Sequence, residues 1–453
     1  MKIQLSGHYG YKRIIKAVIP SIIMMIFTSI YSIVDGFFVS NFAGKTAFSA
    51  INIIFPVLMI IGALGFLFGA GGSALVSKTL GEGKKELANR YFSMLIYVTI
   101  IVGLVLSTIL FIFIRPISSL VGADENMLPH CVTYARILLI TMTPFMIQNT
   151  FQAFFMTAEK PVLGTIFTIA SGLTNIILDT LLVGVFKFGL VGAAIATDIA
   201  QLVGCFGPLI YFSSKRNTST LKLVKTNIEL RVVLTTCANG ASELVTNISS
   251  ALVNVLYNLQ LMKYAGEDGV ASYGVIMYVT FIFAAVFIGY NIGTAPIVGY
   301  NYGAKNTKEL KSLLKKSLII ITICGIFLTG LSEILAYPLA KIFVSYDENL
   351  LNMTYHAIQI FMLSYLICGY NFFSSSFFTA LNDGLISAIL SFGRTLVFQI
   401  ISIFLLPIYF KLDGIWAAII LAESLSLILT IIMLLANKKK YQYWLRLPFG
   451  RCL

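Results

Sequence analysis

The sequence predicts an all-α polytopic membrane protein: 12 transmembrane helices in two pseudo-symmetric six-helix bundles, a parallel repeat with a central cleft. Three observations carry this expectation. Of 453 residues, 58% are hydrophobic and only 11% charged, with a mean hydropathy of +0.89, far from the balance of a soluble globule. Apolar runs of about 20 residues or more recur, the length needed to cross about 30 Å of hydrocarbon, and the charged residues are confined between them. The second half of the chain also repeats the first.

The runs place spans at roughly 14–40, 48–77, 92–114, 130–157, 162–184 and 190–212, then at 232–262, 269–299, 316–338, 352–380, 385–409 and 414–436. The first follows a basic start, Met1–Lys16, as a signal peptide would. No small-residue cleavage site follows, and the apolar stretch is too long for an h-region, so it reads as an uncleaved helix. With the N-terminus placed inside, the inner segments hold 24 Lys and Arg and the outer segments 6. That bias puts both termini in the cytoplasm. The net charge of +13 is therefore a topology signal, and nucleic acid is not an expected partner. The organisation predicted is an N-terminal lobe at 1–212, a cytoplasmic linker at 213–231, a C-terminal lobe at 232–436 and a basic tail at 437–453.

The repeat shows as short identities at a nearly constant offset. Ala43-Gly44 matches Ala265-Gly266, Gly71 matches Gly293, Val76 matches Val298 and Gly81 matches Gly303. After one inserted residue, Lys85-Glu86-Leu87 matches Lys308-Glu309-Leu310, and Phe154-Phe155 matches Phe377-Phe378. After one more, Ala193-Ala194 matches Ala417-Ala418. Six spans per repeat return the chain to its starting side, so the halves share one orientation. Such parallel repeats are a transporter architecture, in which one lobe rocks against the other. Pro20, Pro56, Pro144, Pro296 and Pro407 fall within spans, where they can kink helices or simply be tolerated.

The polar residues inside the spans point to the chemistry. A carboxylate at membrane depth costs roughly 3 kcal/mol on insertion scales and marks a functional site by default. Asp35 lies in the first span. Asn175 and Asp179 lie in the fifth, at i and i+4 on one helix face, and Thr197 lies in the sixth. Counted at about 1.5 Å per residue, all share one layer in the outer half of the membrane. Two carboxylates, an amide and a hydroxyl suit a hard cation such as Na⁺, or a carboxylate pair sharing a proton. The plainer alternative is polar glue between helices. Asp198 points about 100° away from Thr197 and is a secondary candidate.

The second lobe does not repeat this set: Tyr257, Phe398 and Ser402 stand at the positions of Asp35, Asn175 and Asp179. Its own intramembrane charges are Glu243, Arg394 and Glu423. Arg394 paired with either glutamate is one reading, and an acidic residue recognising a cationic substrate is the other. Polar and aromatic residues cluster in equivalent helices, with Gln148, Gln152, Phe155 and Met156 in one lobe and Asn371 and Ser375 in the other. With Tyr257, Glu243 and Glu423 these are candidates to line the cleft, where aromatic faces attract organic cations and Met adapts its shape; lipid-facing Phe is the alternative. Scattered cysteines and three distant histidines offer no metal-ligand spacing, so no metal is expected beyond a Na⁺ at the Asp35 set.

The runs Val34-Asp35-Gly36-Phe37-Phe38-Val39, Phe68-Gly69-Ala70-Gly71-Gly72-Ser73-Ala74-Leu75-Val76-Ser77 and Leu80-Gly81-Glu82-Gly83 resemble the MATE (multidrug and toxic compound extrusion) family, in its prokaryotic DinF-like branch. Asn175-Ile176-Ile177-Leu178-Asp179, Gly192-Ala193-Ala194-Ile195-Ala196-Thr197 and Ala295-Pro296-Ile297-Val298-Gly299-Tyr300-Asn301-Tyr302-Gly303 fit the same pattern. The resemblance implies a cation/drug antiporter, with Asp35, Asn175, Asp179 and Thr197 as the cation site. Asn291 stands near the place of an acidic residue that some members carry in the eighth span. The expectation is a secondary active antiporter, not an enzyme, exporting organic cations, drugs or toxic metabolites against inward Na⁺ or H⁺. It needs no cofactor, acts as a monomer and sits in the inner membrane of a prokaryote, surrounded by lipid. A lipid-linked oligosaccharide flippase is the alternative within transport, but it would want a cationic cleft. A membrane enzyme would need a nucleophile–base set or metal motif, and neither is visible.

Overall fold

The computed structural model describes residues 4–42 and 45–443, without the side chains of 40–42, 45–49 and 52. Ala43-Gly44, the side chain of Lys45 and the tail beyond 443, with Arg446, Arg451 and Cys452, lie outside the described residues. The described chain is helical, with no strand among its elements.

Eight helices are long and apolar enough to span a membrane, and two further pairs do so together across a bend. Two of the eight are double. The helix Leu230–Gly303 breaks at Gly266 (φ 62°, ψ −147°) and Phe398–Tyr441 breaks at Lys411 (φ 51°, ψ −124°). Counting each bent pair as one span and each broken run as two gives the twelve expected. They are Tyr11–Phe42, Lys45–Gly81, Lys85–Leu120, Leu128–Ile140 with Met142–Thr157, Pro161–Val185 and Gly189–Ser213, then 230–265, 267–303, Thr307–Val344, Glu348–Met362 with Tyr365–Ala380, 384–410 and 412–441.

Several helices run past their hydropathy limits. The third extends from 92–114 to Lys85–Leu120, because backbone hydrogen bonding continues where side chains have already turned polar. The fourth and tenth spans bend by 55° and 49° at Thr141 and at Leu363-Ser364. The tenth bends without a proline, and the helix continues past Pro20, Pro56, Pro296 and Pro407. Proline position is thus a poor guide to where this chain bends.

The repeat is written again in the turns. Left-handed backbone occurs at Gly83 and Lys305, at Glu159 and Asn382, and at Lys187 and Lys411. The three pairs stand 222, 223 and 224 positions apart (83 to 305, 159 to 382, 187 to 411), the same single-residue drift as the sequence identities. Positive φ strains a side chain, so its recurrence at matched turns reflects one shared path for both halves.

The lobes meet most closely toward the face that carries the N-terminus and most Lys and Arg, called here the basic face. A Cβ on Gly71 in the second span would lie 2.2 Å from the Thr236 carbonyl oxygen of the seventh, and one on Gly240 would lie 2.0 Å from the Leu67 oxygen. At the ends of the second and eighth spans, Gly81 lies against the Tyr300 carbonyl and Gly303 against the Lys78 carbonyl. The missing side chains let the backbones touch, as small residues do between membrane helices. Toward the opposite face the N-terminal lobe has a core of its own, built from Val39, Leu58, Tyr134, Leu138 and Val183 with their neighbours, and no described residue of the C-terminal lobe belongs to it.

Candidate functional site

Gly172 in the fifth span sets up the site. A Cβ there would lie 2.6 Å from Phe27 and 2.7 Å from Tyr31, so the first span can press close. One turn on from Tyr31 stands Asp35, and one and two turns on from Gly172 stand Asn175 and Asp179. The two faces bring the Asp35 carboxylate into side-chain contact with both Asp179 and Asn175. From the sixth span, Thr197 Oγ1 accepts a long 3.5 Å hydrogen bond from Asn175 Nδ2. The four residues singled out in the sequence therefore converge.

Their hydrogen bonding is incomplete. Both Asp179 oxygens, Asp35 Oδ1 and Asn175 Oδ1 are buried without a donor, and Asp179 is 0% exposed. Two facing carboxylates are both acceptors and cannot satisfy each other. Buried polar atoms are paired as a rule, and unmet ones need an explanation. Chemically, such a set is completed by a proton between the carboxylates or by a hard cation among the oxygens. Asp179 also opens a π-helical turn, Asp179–Val185, a wider winding that recurs at functional sites.

Asp198 lies apart from this cluster. It is buried and accepts a hydrogen bond from Thr141 Oγ1, at the break of the fourth span. Thr141 Oγ1 also lies 2.9 Å from Gln201 Oε1. Tyr134, buried in the fourth span, lies within electrostatic reach of Asp35, Asp179 and Asp198. The sequence had not marked it, because one tyrosine in an apolar helix carries no signal until the fold brings the carboxylates to it.

In the C-terminal lobe, Arg394 Nε donates to Glu423 at 2.8 and 3.1 Å. Asn371 Nδ2 donates to the same carboxylate at 2.7 Å and to the Glu423 carbonyl at 2.9 Å. Thr430 closes the set on Asn371 Oδ1 at 2.9 Å, and the guanidinium lies 3.6 Å over Phe372. Of the two partners open to Arg394, the structure pairs it with Glu423. Glu243 is half-buried and has no ion-pair partner among the described residues. Tyr257 fills the place of Asp35, stacked at 4.8 Å on Tyr273 and bonded to Gln399 at 3.3 Å.

The other cleft candidates are buried or half-buried, and Met156 is buried in the cluster that the N-terminal segment shares with the C-terminal lobe. Gln148, Gln152 and Phe155 line a cavity of about 10 Å³ between the fourth, fifth and sixth spans, too small for an organic substrate. Ser375 belongs to a hydroxyl chain, 2.8 Å from Ser391 and 3.0 Å from Ser387.

Two six-helix lobes, one of them holding a layer of membrane-buried polar groups, have the architecture of a multi-pass membrane transporter, and the family match bears this out. The chain belongs to the MatE family: the family model matches residues 20–181 and 244–405, one segment in each half. Among curated relatives, "Multidrug export protein MepA" of Staphylococcus haemolyticus is 25% identical over 435 residues, covering 95% of this chain and 94% of that one. Its namesake in Staphylococcus aureus (strain NCTC 8325 / PS 47) is 25% identical over 419 residues, with 92% and 91% covered. Among solved structures, one described as the outward-facing conformation of a multidrug resistance MATE family transporter has a TM-score of 0.91 at 21% identity, covering 97% of this chain and 98% of that one. A MATE crystal structure in the straight conformation scores 0.90 at 21% identity with the same coverage.

Proposed function

We propose that the chain exports organic cations in exchange for Na⁺ or H⁺ moving inward, with coupling confined to the N-terminal lobe. The observation that carries this reading is the unmet set of oxygens on Asp35, Asn175 and Asp179. Empty of positive charge, the set holds two repelling carboxylates in a low-dielectric site; a bound proton or Na⁺ relieves that repulsion. The two states differ in free energy, and such a difference is what shifts a conformational equilibrium. Loading the set draws the first, fifth and sixth spans together and favours release of substrate from the cleft. Glu243, with no ion partner, is the acidic group offered to a cationic substrate.

With the basic face in the cytoplasm, as the distribution of Lys and Arg supports, the close contacts at that face make this an outward-facing arrangement. The names of the MepA relatives support a drug-like substrate, and the acidic bias of the free intramembrane groups supports a cation. The reading takes the protein as a monomer in the cell membrane with both termini inside. Purified protein in liposomes, given Na⁺ and pH gradients separately, tests it. Ethidium flux should follow one gradient and collapse when that gradient is dissipated; equal flux with no gradient would sink the proposal.

A further inference from the structure

We infer that the turn 380–384, between the tenth and eleventh spans, is a latch that holds the lobes together at the basic face, and that the end of the last span sets it. Asn382 is the tongue. Its amide nitrogen donates across the lobe boundary to the Ala74 carbonyl of the second span at 3.2 Å, and to Ala380 O in its own turn at 3.3 Å. Its amide oxygen accepts from Asn239 Nδ2 of the seventh span at 2.9 Å. One side chain thus ties the second span of one lobe to the seventh and tenth of the other.

The turn is shaped for this. Asn382 has φ 58°, a left-handed conformation that asparagine tolerates better than most residues. Gly384 lies against the seventh span, where a Cβ would come within 2.1 Å of the Ala238 oxygen. Gly299 of the eighth span leaves room for Ser77 and the Ala380 carbonyl. The turn is wedged where three spans of the two lobes meet.

Its neighbour fixes it from behind. Asp383 Oδ2 accepts from Lys440 Nζ at 2.6 Å and from the Tyr441 hydroxyl, both on the last turn of the twelfth span. Its other oxygen caps the eleventh span at Ile386 N. The matching turn of the N-terminal lobe carries Glu159 and Lys160 at the places of Asn382 and Asp383. Glu159 accepts instead from Leu5 N at 2.8 Å, in the segment before the first span, and Lys160 bonds Thr218 in the linker, so among the described residues the tether to the last turn of a span belongs to the C-terminal turn. When the lobes part at the basic face, the Asn382–Ala74 bond has to break, while the Asp383 tether keeps the turn in shape to re-form it.

The inference rests on alternating access but not on the coupling site. Cys237 reports on it: it is half-buried in the seventh span, one residue from Thr236 at the lobe contact, and packs against the core of the opposite lobe. In a full-length chain keeping Cys237 as its only cysteine, maleimide labelling in detergent measures how often the basic face opens. Asn382→Asp keeps shape and left-handed tolerance but removes the donor to Ala74; Asn382→Gly keeps the backbone and removes the side chain without adding charge. Both should label about fivefold faster, as loss of one modest hydrogen bond implies. The pair Lys440→Met with Tyr441→Phe should move the rate the same way. If both Asn382 variants label within about twofold of the parent, at unchanged thermal stability, the latch is wrong. The readout uses neither gradient nor substrate, so its failure leaves the coupling proposal standing, and a failure of coupling leaves the latch standing.

Discussion

Asp35 and Tyr257 occupy the same position of the repeat, yet one ends in an oxygen without a donor and the other in a closed aromatic stack. Asp35 Oδ1 is buried and unmet. Tyr257 is 2% exposed, lies flat on Tyr273 and bonds Gln399. At this position one lobe keeps an unmet carboxylate and the other a closed aromatic stack, although Ser402 Oγ, at the place of Asp179, is also buried without a partner. The halves share an overall path, but the winding differs locally as well as the side chains: the π turn follows Asp179 in one lobe and stands at Gly393–Val397, ahead of Ser402, in the other.

Asp35→Asn and Asp179→Asn should each abolish gradient-driven efflux while leaving the fold intact. Each swap removes a negative charge and keeps the volume, and the amide supplies a donor that the site lacks. Stability should stay level or rise, because carboxylate repulsion is relieved. Ethidium efflux from cells and thermal unfolding of purified protein separate the two effects. Normal efflux in both variants would refute a coupling role.

The Arg394–Glu423 pair should behave as structure, not as a coupling site. Removing one partner, by Glu423→Ala or Arg394→Met, leaves a buried charge uncompensated, which typically costs about 3–5 kcal/mol. The double variant Arg394→Met with Glu423→Leu should recover most of that loss. Thermal unfolding in detergent measures all three. A double variant no more stable than the worse single one would show that the pair does more than neutralise itself.

The spans and the repeat were legible because hydropathy and charge act over 20 residues at a time. The four converging residues were legible because depth along a helix can be counted. What could not be read was rotation about each helix axis. Gln148 and Gln152 share a span with polar neighbours, yet they face an internal cavity of the N-terminal lobe. Tyr134 gains meaning only beside Asp35 and Asp179, and the latch at Asn382 depends on a turn conformation and a partner carbonyl 308 residues away.

The glycines at the lobe contact should tolerate no side chain. In Gly81→Ala or Gly303→Ala the new methyl would fall about 2.0 Å from a backbone oxygen of the facing span, and backbone cannot yield as a flexible side chain can. Both variants should fold, because the new methyl disturbs only this contact and the buried clusters around it remain, but the basic face should stay open and efflux should be lost. Gly330→Ala is the control: nothing lies within 4 Å of its Cβ position, and alanine favours a helix by about 0.5–1 kcal/mol. Faster Cys237 labelling in the first two variants, with the control unchanged, is the expected pattern. Full efflux by Gly81→Ala would show that this contact is not needed.

The Asp383 tether should hold unchanged across the physiological pH range. Burial pushes its carboxyl up, but hydrogen bonds from Lys440 and Tyr441 outweigh that and hold it below the ordinary 3.8. A group whose folded value is lowered stabilises the fold fully above its unfolded value, near 3.9, and loses that contribution only as pH falls through the folded one. Between pH 5 and 8 the carboxylate therefore stays ionised. Asp383→Asn should lower the unfolding temperature by the same amount throughout that window, and the gap should narrow only as the pH falls below the ordinary carboxylate value. Measuring parent and variant at pH 5, 6.5 and 8 checks this. A gap that widened between pH 6.5 and 8 would mean that Asp383 is still titrating there, and that Lys440 and Tyr441 do not hold it as the geometry indicates.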